Sequence, residues 1–236
     1  VGIDPAKRRF DQYIEEYSPD VQLMVSHIAE TYIRRSKWNT RAWTFQERLL
    51  SKRCLIFTEG RVYFQCRSTA MSEDIVAGKQ AGWSVELKDA PLQMLRQLQF
   101  RPIQVYMSSV ALYTSRSLGR AGDVEAAFNG LGNRIGEALG GKLLFGLLNT
   151  HFDWALLWEP KDALQRRVID GATPFPSWSW CGWSEQAIEY KPSMIGNCLV
   201  NLHEWLMEHT WIVWYVRTGQ GSLRLVWDGT NYEDQM

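Results

Sequence analysis

Within residues 41–66, RAWTFQERLLSKRCLIFTEGRVYFQC, a carboxylate stands one helical turn beyond a tryptophan: Glu47 follows Trp43 by four residues. At that spacing both side chains share one face of a helix, which Leu50 continues. The residues leave two roles open for Glu47. It is a catalytic group, or it is the glutamate of a Thr44-Phe45-Gln46-Glu47 capping box, satisfying a backbone N–H where a helix begins. Surface pairing with Arg41, Arg48 or Arg53 would add under about 1 kcal/mol. The basic set Arg41, Arg48, Lys52 and Arg53 could meet phosphates, but a solvated basic face is the plainer expectation.

The elements that would position these groups follow from periodicity and punctuation. The unit itself reads as a short helix, then CLIF and VYFQC as strands about the turn Thr58-Glu59-Gly60. Ahead of it, DPAKRRFDQYIEEY and DVQLMVSHIAETYIRR read as helices opened by Asp4-Pro5 and Ser18-Pro19. In the second, Val21, Val25, Ile28, Tyr32 and Ile33 recur near the helical period, and Arg34 and Arg35 suit its end. RSTAMSEDIVAGKQAGWS, residues 67–84, reads as a loop or linker. PLQMLRQLQF and IQVYMSSVALYTSRSLG read as helices broken at Pro102, and DVEAAFNGLGNRIGEAL as a third with Asp123 at its N-cap. GNRIGEALGGKLLFGLL lacks the phosphate-loop pattern and a preceding strand. From Phe175 on, PSWSWCGW alternates like a strand with Trp178 and Trp180 on one face, and Gly182 marks a bulge. WIVWYVRTGQGSLRLVW reads as strand, turn, strand. The predicted class is α+β: helical N-terminal and middle segments, a short β-hairpin after the RAWTFQE helix, and an antiparallel sheet in the C-terminal third.

Composition narrows the function classes. The 26 basic and 26 acidic residues cancel, which argues against a nucleic-acid binder working by phosphate neutralisation. Cys54, Cys66, Cys181 and Cys198 show no C-x-x-C pair, and His27, His151, His203 and His209 no metal spacing, so no metal is expected. With no secretory segment and no long apolar run, the expectation is a cytoplasmic protein with reduced thiols and no membrane span. The twelve tryptophans suit cores and flat ligand platforms alike; Trp178, Trp180 and Trp183 are expected in the core. The chain opens on Val1 in charged sequence and reads as a piece of something longer.

The 41–66 stretch closely resembles the closing motif of the fungal heterokaryon-incompatibility (HET) domain, R-x-W-T-x-Q-E-R-x-L-S-x-R followed by a strand pair ending in W/F-x-C. VYMSSVALYTSRSLGRAGDVEAAFNGL, LLWEP and FPSWSWCGW look like stretches that follow it in such proteins. The family's opening Y-x-A-L-S-Y-x-W-G strand and its W-I-D-x-x-C-I-x-Q segment do not occur here. The resemblance therefore implies residues 1–70 as the C-terminal portion of a HET domain and 71–236 as a downstream helical and β region. HET domains are thought to be similar to Toll/interleukin-receptor (TIR) domains, whose enzymatic members cleave NAD with a glutamate in a W-x-x-x-E helix. The resemblance thus implies Glu47 as catalytic carboxylate, stabilising an oxocarbenium-like ribose as nicotinamide departs, with Arg41, Trp43, Gln46 and Arg48 as supporting residues. NAD would be a substrate; no cofactor is implied. The biological role implied is fungal non-self recognition leading to programmed cell death.

Two competitors come from other classes. One is a non-enzymatic module that docks a protein partner or a second copy through its tryptophan-rich region. The other is a carbohydrate-binding sheet, which would need lined-up, solvent-facing tryptophans.

Overall fold

A computed structural model describes residues 14–24, 29–58, 61–66, 70–72, 91–184, 187–191, 208, 212–217, 219 and 221–227. The class is α+β, but the N-terminal elements differ from expectation. Where two helices were predicted, strands β1 (Ile14–Ser18) and β2 (Val21–Met24) form an antiparallel hairpin. Ser18 pairs with Val21 across Pro19-Asp20, and Asp20 is left-handed at φ 70°. Proline at the first turn position and a residue that tolerates positive φ at the second make a hairpin turn, and this outweighs the helical period of Val21 and its successors. The helix that remains, α1 (Ala29–Arg35), ends on Arg34 and Arg35 as expected. Residues 4–13, Val25, His27 and Ile28 lie outside the described residues.

The central unit follows its predicted order. Helix α2 (Ala42–Leu50) leads into β3 (Arg53–Thr58) and β4 (Arg61–Cys66), paired in register from Arg53–Cys66 to Thr58–Arg61. A short β5 (Ala70–Ser72) adds an edge strand inside the predicted linker. The register puts Cys54 and Cys66 on opposite faces of this sheet, and Cys54 and Cys181 are free thiols.

Helices α3 (Pro91–Gln97) and α4 (Pro102–Thr114) break where predicted, with Pro102 opening the second. Asp123 belongs instead to a 3-10 turn, Ala121–Val124, ahead of α5 (Ala126–Ala138). One apolar cluster joins α2, α4 and α5 to later segments. It contains Phe45, Leu49, Tyr106, Tyr113, Phe128 and Trp180, and so draws on residues both before and after position 70. A smaller cluster of Ile33, Ile56 and Tyr63 lies between α1 and the β3–β4 sheet.

Among the described residues, the C-terminal third is antiparallel, in short pairs. Strands β6 (Leu143–Leu144) and β7 (Leu147–Leu148) pair, and α6 (Phe152–Ala155) follows. Strand β8 (Glu159–Pro160) pairs with β11 (Ile188–Glu189), and β9 (Gln165–Arg166) with β10 (Trp183–Ser184). Strands β12 (Tyr215–Arg217) and β13 (Leu223–Leu225) form the predicted final hairpin. PSWSWCGW is not a strand until its end. Ser179 Oγ accepts from the Cys181 amide and starts a 3-10 turn, Trp180–Gly182, that drives Trp180 alone into the core. Gly146 makes room for it: at φ 81°, a Cβ there would stand 2.5 Å from the Trp180 ring. No helix among the described residues is long and apolar enough to cross a membrane.

Candidate functional site

Helix α2 is held on three sides, and this decides where its polar groups point. Ala42 and Phe45 are buried in the large cluster, and so is Leu49. Trp43, half-buried, donates its indole N–H to Asp123 Oδ2 at 3.1 Å. Gln46 Oε1 accepts from the Gly130 amide at 3.1 Å, and a Cβ at Gly130 would come within 2.6 Å of that oxygen and 2.8 Å of Leu50 Cδ1, pushing both side chains aside.

The expected capping box is absent. The N-cap is Arg41, whose side chain makes no capping bond, and Thr44 lies inside the first turn. Its hydroxyl is shared between the carbonyls of Trp38 (2.8 Å) and Arg41 (2.7 Å). The Ala42 amide is satisfied by Ser117 O at 2.9 Å. A clamp from outside the motif completes this end: Arg116 donates to Asn39 O (2.5 Å) and Asn39 Oδ1 (3.0 Å), and lies over the Phe45 ring at 5.0 Å. Burial, then the neighbouring Arg48 charge, pushes the Arg116 guanidinium down to about 10, still protonated at neutral pH.

Arg48 corrects a second expectation. It is not part of a solvated basic face but 1% exposed, second only to Trp180 in size among the described side chains that are fully buried. Its guanidinium forks onto Glu30 of α1, Nη1 to Oε1 at 3.0 Å and Nη2 to Oε2 at 2.6 Å, while Nε donates to Gln65 Oε1 of β4 at 3.2 Å. Three elements meet on one guanidinium, in the planar bidentate geometry that lysine cannot supply. Arg41, Lys52 and Arg53 are exposed, as a solvated face requires.

Glu47 is the only exposed residue of α2. Its carboxylate joins no ion pair among the described residues, and its backbone oxygen accepts from the Ser51 amide at 3.1 Å. One cysteine, Cys54 of β3, senses its charge. Burial raises its thiol above the ordinary value, Arg48 pulling it down and Glu47 up, so it stays a thiol at neutral pH. Among the described residues no cluster of three His, Cys, Asp or Glu side chains could hold a metal ion.

The structure brings the scattered motif patches together. Tyr113 packs against Phe45 (6.1 Å), Phe128 (5.1 Å) and Trp180 (5.9 Å), and Trp158 donates its indole N–H to Trp178 O at 2.8 Å. Burial raises the Tyr113 phenol and the Cys181 thiol, which removes both from acid–base work near neutrality. Glu30, Gln65 and Arg116 were not picked out in advance, and Asp123 only as an N-cap. One signal was available: Arg48 falls between Phe45 and Leu49, on the apolar stripe of α2, where a charge must find a buried partner. No protein-family model, no curated protein and no solved structure matches this chain.

Proposed function

We propose that this chain is part of a fungal HET-type incompatibility protein, acting in non-self recognition and cell death, and that Glu47 is the carboxylate through which a longer parent cleaves NAD. One observation carries the reading: Glu47 is the single exposed side chain of a helix whose other eight residues are buried or half-buried. Packing fixes the backbone from which the Glu47 carboxylate is presented, and a carboxylate beside the ribose would stabilise a developing oxocarbenium ion. Trp43 and Gln46 serve the position by tying α2 to Asp123 and Gly130. Arg48 serves it from beneath, and Arg41 stands exposed at the helix start.

Residues 1–236 alone are expected to release nicotinamide from NAD only at background. One carboxylate without the crevice built by several strand–helix loops cannot orient a ribose. A longer protein carrying the family's opening strands should turn NAD over. Glu47→Gln should abolish that turnover while the melting temperature holds. Full activity in the Glu47→Gln protein would remove Glu47 from the mechanism.

A second reading, a non-enzymatic interaction module, has its own support. None of the nine described tryptophans is exposed, which disfavours docking through tryptophan. The exposed large apolar side chains include Tyr17, Val21 and Leu23 on the N-terminal hairpin and Leu55 and Phe57 on β3.

A further inference from the structure

No described residue between positions 212 and 227 is buried, although the β12–β13 hairpin lies against helix α6. Trp214 and Val226 face inward and are only partly buried against the large cluster. Alternation sends Tyr215, Leu223 and Leu225 to the other face, where all three are exposed. A two-stranded ribbon is marginal on its own, and a segment with so few buried apolar contacts opens before the rest of a fold does.

The attachment is confined to one end. The Trp214 indole N–H donates to the Asp153 carboxylate, and its ring stands edge-on to Phe152 at 5.5 Å. Asn149 Nδ2 donates to Val226 O at 3.2 Å, and the Val226 amide donates to Trp214 O at 2.9 Å. Both anchors therefore meet where β12 begins and β13 stops. From Tyr215 to Leu225, no described residue hydrogen-bonds the body.

The ground beneath the anchors has its own supports. Phe152 is buried between Trp214 and Trp178, each ring at 5.5 Å, so Trp178 holds it from the core side. Trp154 stacks on Tyr190 at 4.7 Å, and Asn149 Oδ1 accepts from the Lys142 amide at 2.7 Å. Helix α6 and the turn before it are thus tied to the core by contacts in which the hairpin has no part.

We infer that the β12–β13 hairpin is a strap that lifts from α6 as a unit while the core stays folded, with the Trp214–Asp153 hydrogen bond as its latch. Lifting bares the Phe152 ring together with the Asn149 amide and the Asp153 carboxylate, three groups that Trp214 and Val226 occupy in the closed form. A carboxylate acceptor makes the latch stronger than a bond between neutral groups. The inference goes beyond both functional readings and involves no chemistry at Glu47.

Amide hydrogen exchange of residues 1–236, followed by mass spectrometry, tests it. Amides of β12 and β13 should be protected, yet exchange at least about tenfold faster than those of α4 and α5. Trp214→Phe keeps a ring and removes the donor, and Asp153→Leu removes the acceptor. Each should speed hairpin exchange about tenfold and leave α4 and α5 unchanged. The double variant should be no faster than either single, because the second change has no bond left to break. Trypsin cleavage after Arg224, within β13, should speed by the same factor, since the chain must leave its partner strand to be cut. Hairpin amides that exchange at the α4 and α5 rate overturn the strap, because the hairpin then opens only with the whole fold. Amides with no protection also overturn it, because no closed form is then held. Single variants that leave hairpin exchange unchanged, or that speed α4 and α5 equally, overturn the latch, as does an additive double variant.

Discussion

Around Trp180, the rings of Tyr113 and Phe128 stand at 5.9 and 5.4 Å, and Phe45 lies beyond Tyr113. These side chains are all but sealed from solvent, and the polar atoms among them are neutral: Tyr113 donates to Val124 O at 2.6 Å, and Tyr106 to Gly146 O at 2.8 Å. Between α1 and β3–β4 the buried apolar side chains among the described residues are Ile33, Ile56 and Tyr63, with Tyr32, Trp38 and Cys54 packed against them, and the join to α2 is polar, through Arg48, Glu30 and Gln65. The difference teaches where each region is vulnerable. The large cluster loses stability in proportion to removed volume, whereas the small one depends on a charge pair whose halves cannot stand alone.

Four substitutions sharpen or break this contrast. Trp180→Ala should have the largest effect, about 3–5 kcal/mol, as a single cooperative loss across the whole chain. Thermal melting followed by tryptophan fluorescence and by far-UV circular dichroism should shift together. A stable, soluble Trp180→Ala protein would mean that the aromatic cluster is not the core.

Arg48→Met should follow closely, at about 3 kcal/mol, because it leaves the buried Glu30 carboxylate only the exposed Arg34, at 3.5 Å. Here the readout is local. Amide hydrogen exchange should accelerate in α1, β3 and β4 while α4 and α5 stay protected. The double change Glu30→Leu with Arg48→Met should recover most of the loss, as apolar replacement of a buried pair often does. Equal loss of protection in α4 and α5 would break the distinction between the two regions.

Trp43→Phe keeps the ring and removes the bond to Asp123. About 1 kcal/mol is expected, since the pair is part-buried. Asp123→Asn in the same background should then cost little more, and an additive result would show that the two side chains are not coupled.

Glu125→Gln gives the smallest effect and carries a sign. Burial raises the Glu125 carboxyl, so the folded state holds its proton to higher pH than the unfolded chain does. Its neutral form therefore favours folding below the unfolded value, and that advantage is lost as pH rises through the folded one. The variant should melt slightly higher than the parent at pH 7, by under about 2 °C given solvent screening, and the gap should close near pH 4. A gap that widens in acid would reverse the assignment.

Much of the middle of the chain was legible because local signals agreed there. Pro102 lacks a donor and can only open a helix, so the α3–α4 break was readable. The β3–β4 pair followed from two apolar runs around a short turn. Two of the failures share one cause, a local signal overruled by another of shorter range. Pro19 and Asp20 turned a helical period into a hairpin, and Ser179 turned an alternating run into a 3-10 turn. Of the candidate site, Glu47 and Trp43 were placed on one helix correctly, while the capping role assigned to Thr44 was lost to the carbonyls of Trp38 and Arg41.

By itself the sequence determined the class, the helix that carries Glu47 and the hairpin after it, because periodicity and turn chemistry act within a few residues. Only the tertiary structure decided which groups on α2 are buried. Arg48 and Glu47 are adjacent, charged and equally polar on paper. One faces α1 and β4, where Glu30 and Gln65 satisfy it across separations of 18 and 17 residues; the other faces water. A helix turns about 100° per residue, so neighbours in sequence look in different directions. What waits in each direction is set by chain segments that no local pattern names.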